Sequence, residues 1–327
     1  MSRPEHPLLQ QANRLILDGD WRGAGQLLLR AARLAEQDGR NAEAARARQM
    51  ATSLLRFAGD TQAALSSAQA LAGTATADPA RVAFAAAAER AETLAAAGDA
   101  AAAIESYATA LEHADKLQLP PTWRAAVLRR LGEAQAQADA PTAARASYAE
   151  ARALHLQAGD RAGAAAVAVE CAETLAGVLA RDDAAVTAAT QAITDDAALA
   201  PRVALLRARL AMRAGDAPAA LAAAQEARAL ALEWVEPVAY FAAAALLAQI
   251  YDSKAERRAA YRVLATAWAT LGDLLGREAA ASWVRPVLLA FALQWGEQAF
   301  ADIKAAHDAE RATGRGEAMR PEGNSGR

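Results

Sequence analysis

Apolar and polar residues alternate along the chain at spacings that put the apolar positions on one face of a helix. A small residue recurs at a fixed offset, a larger one often follows four residues later, and another alanine comes three residues after that. Because steps of four and three return to the same side of a helix, the pattern predicts many helices, each with one packed face. The three sets are Ala24, Ala64, Ala103, Ala144, Ala220, Ala260 and Ala301; Leu28, Tyr107, Tyr148 and Leu264; and Ala31, Ala110, Ala151, Ala227 and Ala267.

A turn signature separates these helices at intervals of about 40 residues. Glycine can adopt the left-handed conformation that ends a helix, and the aspartate after it can cap the next helix. Small residues seven positions before the turn mark where two helices cross closely, at Ala12, Ala91, Gly132, Ala208 and Ala248. The spacing is irregular around residues 160–200, which predicts a hinge there. The turns are Gly19-Asp20, Gly59-Asp60, Gly98-Asp99, Asp139-Ala140, Asp182-Asp183, Gly215-Asp216, Lys254-Ala255 and Gly296-Glu297.

The pattern predicts sixteen helices in eight pairs. Alanine, the best helix former, makes up nearly a third of the chain, and residues that favour strands are scarce. Pro201 and Pro237 fit helix starts, whereas Pro286 predicts a kink or a late start of its helix. The predicted starts lie near residues 5, 21, 41, 60, 79, 100, 121, 141, 161, 183, 201, 217, 237, 256, 277 and 297.

The repeat resembles the tetratricopeptide repeat (TPR) family. The segment from Gly98 through Tyr107 to Ala110 matches that motif, as do Leu131-Gly132 with Tyr148, and Leu247-Ala248 with Leu264. At about 40 residues the repeat exceeds the usual ~34 and is similar to the longer variety of kinesin light chains and Pins-type adaptors, with HEAT or armadillo repeats as the structural alternative. The resemblance implies an all-α, right-handed α-solenoid over residues 1–313, with bulky capping repeats from about 277 and a disordered tail over 314–327.

The net charge, the N-terminal sequence and the cysteine content indicate which partners and which compartment to expect. A net charge of −3 gives no overall basic field, which argues against a nucleic-acid partner. The N-terminal residues have no apolar core of signal-peptide length, and no uncharged apolar run approaches the ~20 residues that a membrane span needs. The lone Cys171 suits a reducing compartment. We therefore expect a cytoplasmic protein with no membrane or nucleic-acid partner.

Catalytic and metal-binding patterns are missing from the sequence. The four histidines are scattered and have no Cys or His at metal-ligand spacing. The glycines fall at turns between helices and form neither a phosphate-binding loop nor a nucleophile elbow. Glu89 and Glu92 share a helical face, which is usually a solvated one. The sequence predicts no enzyme activity, no cofactor and no metal.

The resemblance implies a binding groove on the first helix of each pair, where TPR solenoids usually hold an extended peptide or a partner helix. By position, this selects Arg202, Arg209, Arg213, Arg129, Glu133, Gln49, Ser53, Arg56 and Asn13. Three arginines on one face favour an acidic protein or peptide. The alternative is an ordinary wet surface with each arginine paired to a nearby carboxylate. Chaperone-type carboxylate clamps need Lys and Asn at set places, and only Asn13 matches.

Ten of the sixteen aromatic residues follow residue 230. They are predicted to fill a terminal cap, or alternatively to form a patch for docking or self-association. The leading hypothesis is therefore a protein-binding adaptor or scaffold. The alternatives are a homo-oligomer assembled through the C-terminal repeats and a regulatory sensor whose solenoid responds to a ligand. The ten are Trp234, Tyr240, Phe241, Tyr251, Tyr261, Trp268, Trp283, Phe291, Trp295 and Phe300.

Overall fold

The computed structural model describes residues 7–178, 183–192 and 196–318. Within those ranges the chain forms sixteen α-helices and one short 3₁₀ turn, Ala197–Leu199, and no strand. The chain divides into two compact units, Met1–Asp195 and Asp196–Arg327. Each unit is a stack of short helices in which neighbours along the chain pack against each other.

The helix bounds follow the predicted starts closely. In the first unit the helices are α1 (Pro7–Leu17), α2 (Trp21–Gln37), α3 (Asn41–Phe57), α4 (Thr61–Ala72), α5 (Pro79–Ala96), α6 (Ala100–Lys116), α7 (Pro121–Gln137), α8 (Pro141–Gln157), α9 (Arg161–Val178) and α10 (Asp183–Ala192). In the second they are α11 (Ala200–Arg213), α12 (Ala217–Glu233), α13 (Pro237–Ser253), α14 (Arg257–Leu275), α15 (Arg277–Trp295) and α16 (Glu297–Ala318).

One type of turn ends most of the helices. After α1, Gly19 has a φ of 79°, and the amide of Asp20 donates to the carbonyl of Leu15 at 2.8 Å. The Asp20 carboxylate then accepts from the amide of Gly23, at 2.8 Å, and caps α2. This helix-stop and helix-start signal is the one that the Gly-Asp pairs predict. The same i to i−5 bond ends α2, α3, α5, α6, α7, α8, α11, α12 and α13.

The turn therefore recurs about every 20 residues, after both helices of a pair. The sequence pattern identified it mainly at every second position and missed the turns after α2, α6, α8 and α12. Four of the turns have a residue other than glycine in the left-handed conformation. Gln118, Asp139, Val235 and Ala255 all have positive φ values, between 49° and 61°. Such residues pay a steric cost in the left-handed region. A rule based on glycine does not detect Gln118 and Val235, whereas the turns at Gly39 and Gly159 contain glycine and were nevertheless missed.

The predicted packed face is buried in nearly every repeat. Six of the seven small positions, Ala24 to Ala260, are 0% exposed, and the larger Tyr107, Tyr148 and Leu264 are at most 2% exposed. Ala301 is the exception. It is exposed on α16, because no described helix follows α16 to cover that face.

The last repeat differs from the others in its connections. A single glycine joins α14 to α15 and another joins α15 to α16, at Gly276 and Gly296, and their φ and ψ values of about 90° and 150° differ from those of the other turns. α15 begins at Arg277 and contains Pro286 in its interior, so the late start is wrong, and the kink, the other alternative for Pro286, stays a prediction. α16 reaches Ala318, past the predicted end of the solenoid at residue 313, and residues 319–327 of the predicted tail lie outside the described ranges.

The C-terminal aromatics mostly pack inward. Tyr261, Phe291 and Trp295 are buried, and Phe300 packs against them. The Trp295 indole stacks on Phe291 with centroids 4.8 Å apart and donates from Nε1 to Asp252 at 2.6 Å. These contacts make the cluster a core of the second unit. The irregular spacing at 160–200, by contrast, falls partly on residues 179–182 and 193–195, outside the described ranges.

Candidate functional site

The odd-numbered helices of the first unit contact one another in sequence, α3 with α5, α5 with α7 and α7 with α9. Each is the first helix of its predicted pair. Charged and polar side chains from these helices meet across the contacts. We call this set the polar row; it consists of Gln49, Ser53, Arg56, Glu89, Glu92, Arg129, Arg130, Glu133 and Glu170.

Glu89 of α5 is the point at which three predicted residues of α3 converge. Ser53 Oγ lies 3.2 Å from each Glu89 carboxylate oxygen and donates to them. Gln49 also hydrogen-bonds to this carboxylate, and Arg56 Nη1 lies 3.5 Å from its Oε2 atom. The Glu89 side chain is only 12% exposed. Burial raises its pKa above the usual range, and the positive charge of Arg56 opposes that shift.

Arg56 is held between two carboxylates without a hydrogen bond from Nη1. That atom is buried, 3.5 Å from Glu89 Oε2 and 3.7 Å from Glu92 Oε2, and it hydrogen-bonds to no described residue. The guanidinium also lies over the ring of Phe57, 5.5 Å from its centroid. Since buried N–H groups are nearly always satisfied, this donor is an exception within the row.

A cleft of about 440 Å³ opens beside Arg56 and extends to α7. Arg130 lines it and pairs with Glu92 at 3.4 Å and with Glu133 at 3.0 Å. Tyr107 lies at the buried side of this cleft, where burial raises the pKa of its hydroxyl and Glu92 adds to the shift. The cleft therefore presents charges of both signs on a buried aromatic floor.

Arg129 extends the row to α9. Its Nε donates to Glu170 at 2.8 Å, and a second donor of the same guanidinium bonds the same oxygen. Arg129 and Glu133 are both on α7, as the groove hypothesis requires. They do not pair with each other: Arg129 pairs with Glu170, and Glu133 pairs with Arg130. The two predicted arginines of this unit, Arg56 and Arg129, are each paired with a glutamate of the next odd-numbered helix.

The other predicted residues lie apart from the row. Asn13 is exposed on α1, and no hydrogen bond or ion pair between described residues joins it to the row. Arg202, Arg209 and Arg213 lie on α11 in the second unit, where Arg202 is half-buried and the other two are exposed. Their role in binding stays a prediction.

Sequence reasoning missed three of the four glutamates of the row, and also Arg130. Glu89 and Glu92 were interpreted as a solvated face, and Arg130 and Glu170 were not selected. A signal was present in the offsets: Glu92, Glu133 and Ser53 each stand six residues before the left-handed residue of their turn. Aligning the repeats on that residue would have grouped them.

The described residues show neither a metal-binding cluster nor a membrane-spanning helix. Within the described ranges, no three His, Cys, Asp or Glu side chains come together as a metal site would require. None of the helices described is both long enough and apolar enough to cross a bilayer.

Comparison with known proteins identifies the fold. No protein-family model matches the sequence, and no curated protein matches it. A tetratricopeptide repeat protein from Parabacteroides merdae aligns with a TM-score of 0.54 at 16% identity, over 86% of this chain and 97% of that one. The fold is TPR-like. A Rap protein, solved in complex with competence and sporulation factor, aligns with a TM-score of 0.54 at 13% identity, over 95% of this chain and 88% of that one.

The TPR-like fold gives the polar row its context. The predicted resemblance and the all-helical class are confirmed at the level of fold. The odd-numbered helices of this chain are the first helices of the predicted pairs. The polar row lies on those helices, and the cleft beside Arg56 is the recess that we take as the candidate site.

Proposed function

We propose that this protein is a non-enzymatic scaffold that binds an extended segment or helix of a partner protein along the polar row. The observation that carries the proposal is the buried Nη1 of Arg56, which faces two carboxylates and hydrogen-bonds to no described residue. An unsatisfied buried donor costs about 1–3 kcal/mol, and a bound acceptor would recover that free energy.

The arginines of the polar row are hydrogen-bond donors, so they favour a partner that offers carboxylates and main-chain carbonyl oxygens as acceptors. Arg130 is half-exposed at the cleft, with 51% of its side chain accessible, so an incoming carboxylate can reach it. An arginine fork binds a carboxylate through two parallel bonds. Glu92 and Glu133 would repel a purely acidic segment, so a partner with isolated carboxylates fits better than a polyacidic one.

The structural neighbours are consistent with binding of a partner by this fold. The Rap protein was solved in complex with competence and sporulation factor, which is a property of that protein. At 13% identity the likeness extends to the fold alone, and so the residues of this chain have to carry the proposal. A cytoplasmic location remains a prediction from the sequence.

Selection from a displayed library of random peptides tests the proposal. Binding of the selected peptides is then measured with purified wild type, Arg56→Gln and the control Arg152→Gln, which changes an exposed arginine of the even-numbered helix α8. We expect Arg56→Gln to weaken binding at least tenfold, about 1.4 kcal/mol, and Arg152→Gln to leave it unchanged.

The proposal fails if no peptide is enriched, or if both variants bind as wild type does. Thermal melting of each variant separates a binding defect from a folding defect. Arg130→Gln, at a half-exposed position, provides a second row variant that does not depend on a buried side chain. A bound nucleotide or metal, or measurable turnover, would contradict the non-enzymatic assignment.

A further inference from the structure

The terminal repeat exposes leucines where the other repeats bury small residues. Seven residues before the left-handed turn residue stand Ala91, Ala208 and Ala248, each 0% exposed. The corresponding residue before Gly296 is Leu289, and it is 57% exposed. One helical turn further, Leu293 is 86% exposed. The change accompanies the single-glycine connections of α15, so this helix presents a different face from the first helices of the other repeats.

A recess lies beside these leucines. It has a volume of about 470 Å³ and is bounded by α14, α15 and α16. Its apolar lining includes Trp268, Leu288, Leu289 and Phe300. A projecting side chain, Leu293, therefore stands next to an apolar recess on the same unit. Contiguous exposed apolar surface of this kind marks an interaction site more often than isolated exposed leucines do.

The charged residues around this face indicate what kind of partner it can bind. A second recess adjoins the first between α14 and α15. Around the two, three cations are matched in number by three carboxylates: Arg277, Arg285 and Lys304 by Asp273, Glu278 and Asp308. Among the described residues, Lys304 and Asp308 are the only two of these six side chains that form an ion pair with each other. A strongly acidic or basic partner would meet like charges here. A second copy of the same face carries the same balanced set of charges, so a two-fold arrangement can place cations opposite carboxylates.

We infer that two copies of the chain associate through α15, with Leu293 of each copy entering the apolar recess of the other. A two-fold interface requires a self-complementary surface, which a projection and a recess side by side provide. The attraction comes from apolar area removed from water at both leucines and along the recess. This surface belongs to the second unit, and its pairing does not require the polar row to bind a partner.

Sedimentation equilibrium on the full chain tests the inference over a range from about 1 to about 200 µM. We expect the mass to rise from the monomer value of 34.0 kDa toward twice that value. Leu293→Glu is expected to weaken association at least tenfold, because a hydrated carboxylate would replace the apolar side chain that the recess takes up. Leu17→Glu is the matched control, since Leu17 on α1 is also 86% exposed, and it should associate as wild type does.

Hydrogen exchange locates the contact. Amides of residues 285–295 should exchange more slowly at the high concentration in wild type and at one unchanged rate in Leu293→Glu. The inference is overturned if wild type stays at 34.0 kDa throughout, if Leu17→Glu and Leu293→Glu behave alike, or if protection appears away from α15. A peptide bound at the polar row would leave all these outcomes unchanged, so the two proposals fail separately.

Discussion

The ring of Tyr148 on α8 lies so close to Gly132 on α7 that a Cβ atom at Gly132 would stand 2.9 Å from two ring carbons. The ring has little freedom to move, because Tyr148 is 1% exposed and its hydroxyl lies in hydrogen-bond range of Thr174 Oγ1, at 3.1 Å. The carbonyl oxygen of Ala144 would also be only 3.2 Å from that Cβ. Gly132 thus permits the closest approach between the helices of this pair.

We expect Gly132→Ala to destabilise the protein by about 1–2 kcal/mol. Overpacking costs roughly 1–3 kcal/mol, and the better helix propensity of alanine returns up to about 1 kcal/mol. Gly272→Ala is the control, because a Cβ there meets nothing within 4 Å and α14 should gain stability. Urea unfolding of both variants checks the pair. Equal effects in the two would show that packing against Tyr148 does not decide the outcome.

The sequence predicted that two helices cross at Gly132, but it did not explain why glycine is needed there. The small residue seven positions before the turn marked where helices cross, and the buried Ala91, Gly132 and Ala248 confirm the crossing. It did not show that Tyr148 requires glycine at one crossing while alanine suffices elsewhere, because that depends on the distance between two helix axes. The same offset failed at Leu289, where the connections of α15 are different.

Val235 is a β-branched residue held at a φ of 53° between α12 and α13. That conformation costs a non-glycine residue about 1–2 kcal/mol, and its side chain is 63% exposed, so it gains little from packing. We expect Val235→Gly to raise the free energy of unfolding by about 0.5–1 kcal/mol, after the entropy that glycine loses on folding.

Val238→Gly is the matched control for the turn variant. Val238 is 67% exposed but lies inside α13, where glycine lowers stability by about 0.5 kcal/mol. Thermal and urea unfolding of both variants should therefore give opposite signs. A loss of stability in Val235→Gly would mean that the left-handed turn carries no strain at this position.

Glu89 and Glu36 should titrate with opposite effects on stability. Burial raises the pKa of Glu89 in the folded protein, so the folded state binds a proton more tightly than the unfolded state does. Its contribution is complete below the ordinary glutamate pKa and is lost as the pH rises through the raised value. The hydrogen bond from Arg48 lowers the pKa of Glu36, so its contribution is present above the ordinary value and is lost as the pH falls.

The measurement is the free energy of unfolding between about pH 3.5 and 8 for wild type, Glu89→Gln and Glu36→Gln. Removing Glu89 should take away a decline in stability toward higher pH, and removing Glu36 should take away a decline toward lower pH. Curves that differ from wild type by a constant at every pH would contradict both assignments.

The polar row could be predicted only in part, for a physical reason. Gln49, Ser53, Arg56, Arg129 and Glu133 follow from the repeat offsets, which the sequence displays. The partners of the first four come from the next odd-numbered helix, about 40 residues away in the chain, and depend on the tilt between repeats, whereas Glu133 pairs with Arg130 of its own helix. Exposed and buried glutamates look alike in a sequence, and so Glu89 was not recognised as the centre of the α3 contacts.

Arg48 is the buried charge whose loss should cost most. It is 9% exposed, it donates to both Glu36 oxygens, with Nη2 2.6 Å from Oε2, and Nη1 donates to Thr74 Oγ1 at 2.6 Å. Arg48→Ala leaves Glu36 and Thr74 without that donor, and we expect a loss of roughly 2–4 kcal/mol, less than for a fully buried pair because Glu36 is 32% exposed.

Two further variants make the Arg48 prediction specific. Arg46→Ala removes an exposed neighbour whose one hydrogen bond to a described residue is to the Ala42 carbonyl of its own helix, at 3.3 Å, and should change stability by less than about 0.5 kcal/mol. Replacing both partners, Arg48→Met with Glu36→Leu, should cost less than Arg48→Ala alone, because no charge is then left unpaired. The contrary result is a double variant that loses as much free energy of unfolding as its two single changes added together. In that case the ion pair with Glu36 is not what Arg48 contributes, and its bond to Thr74 or its packing accounts for the loss.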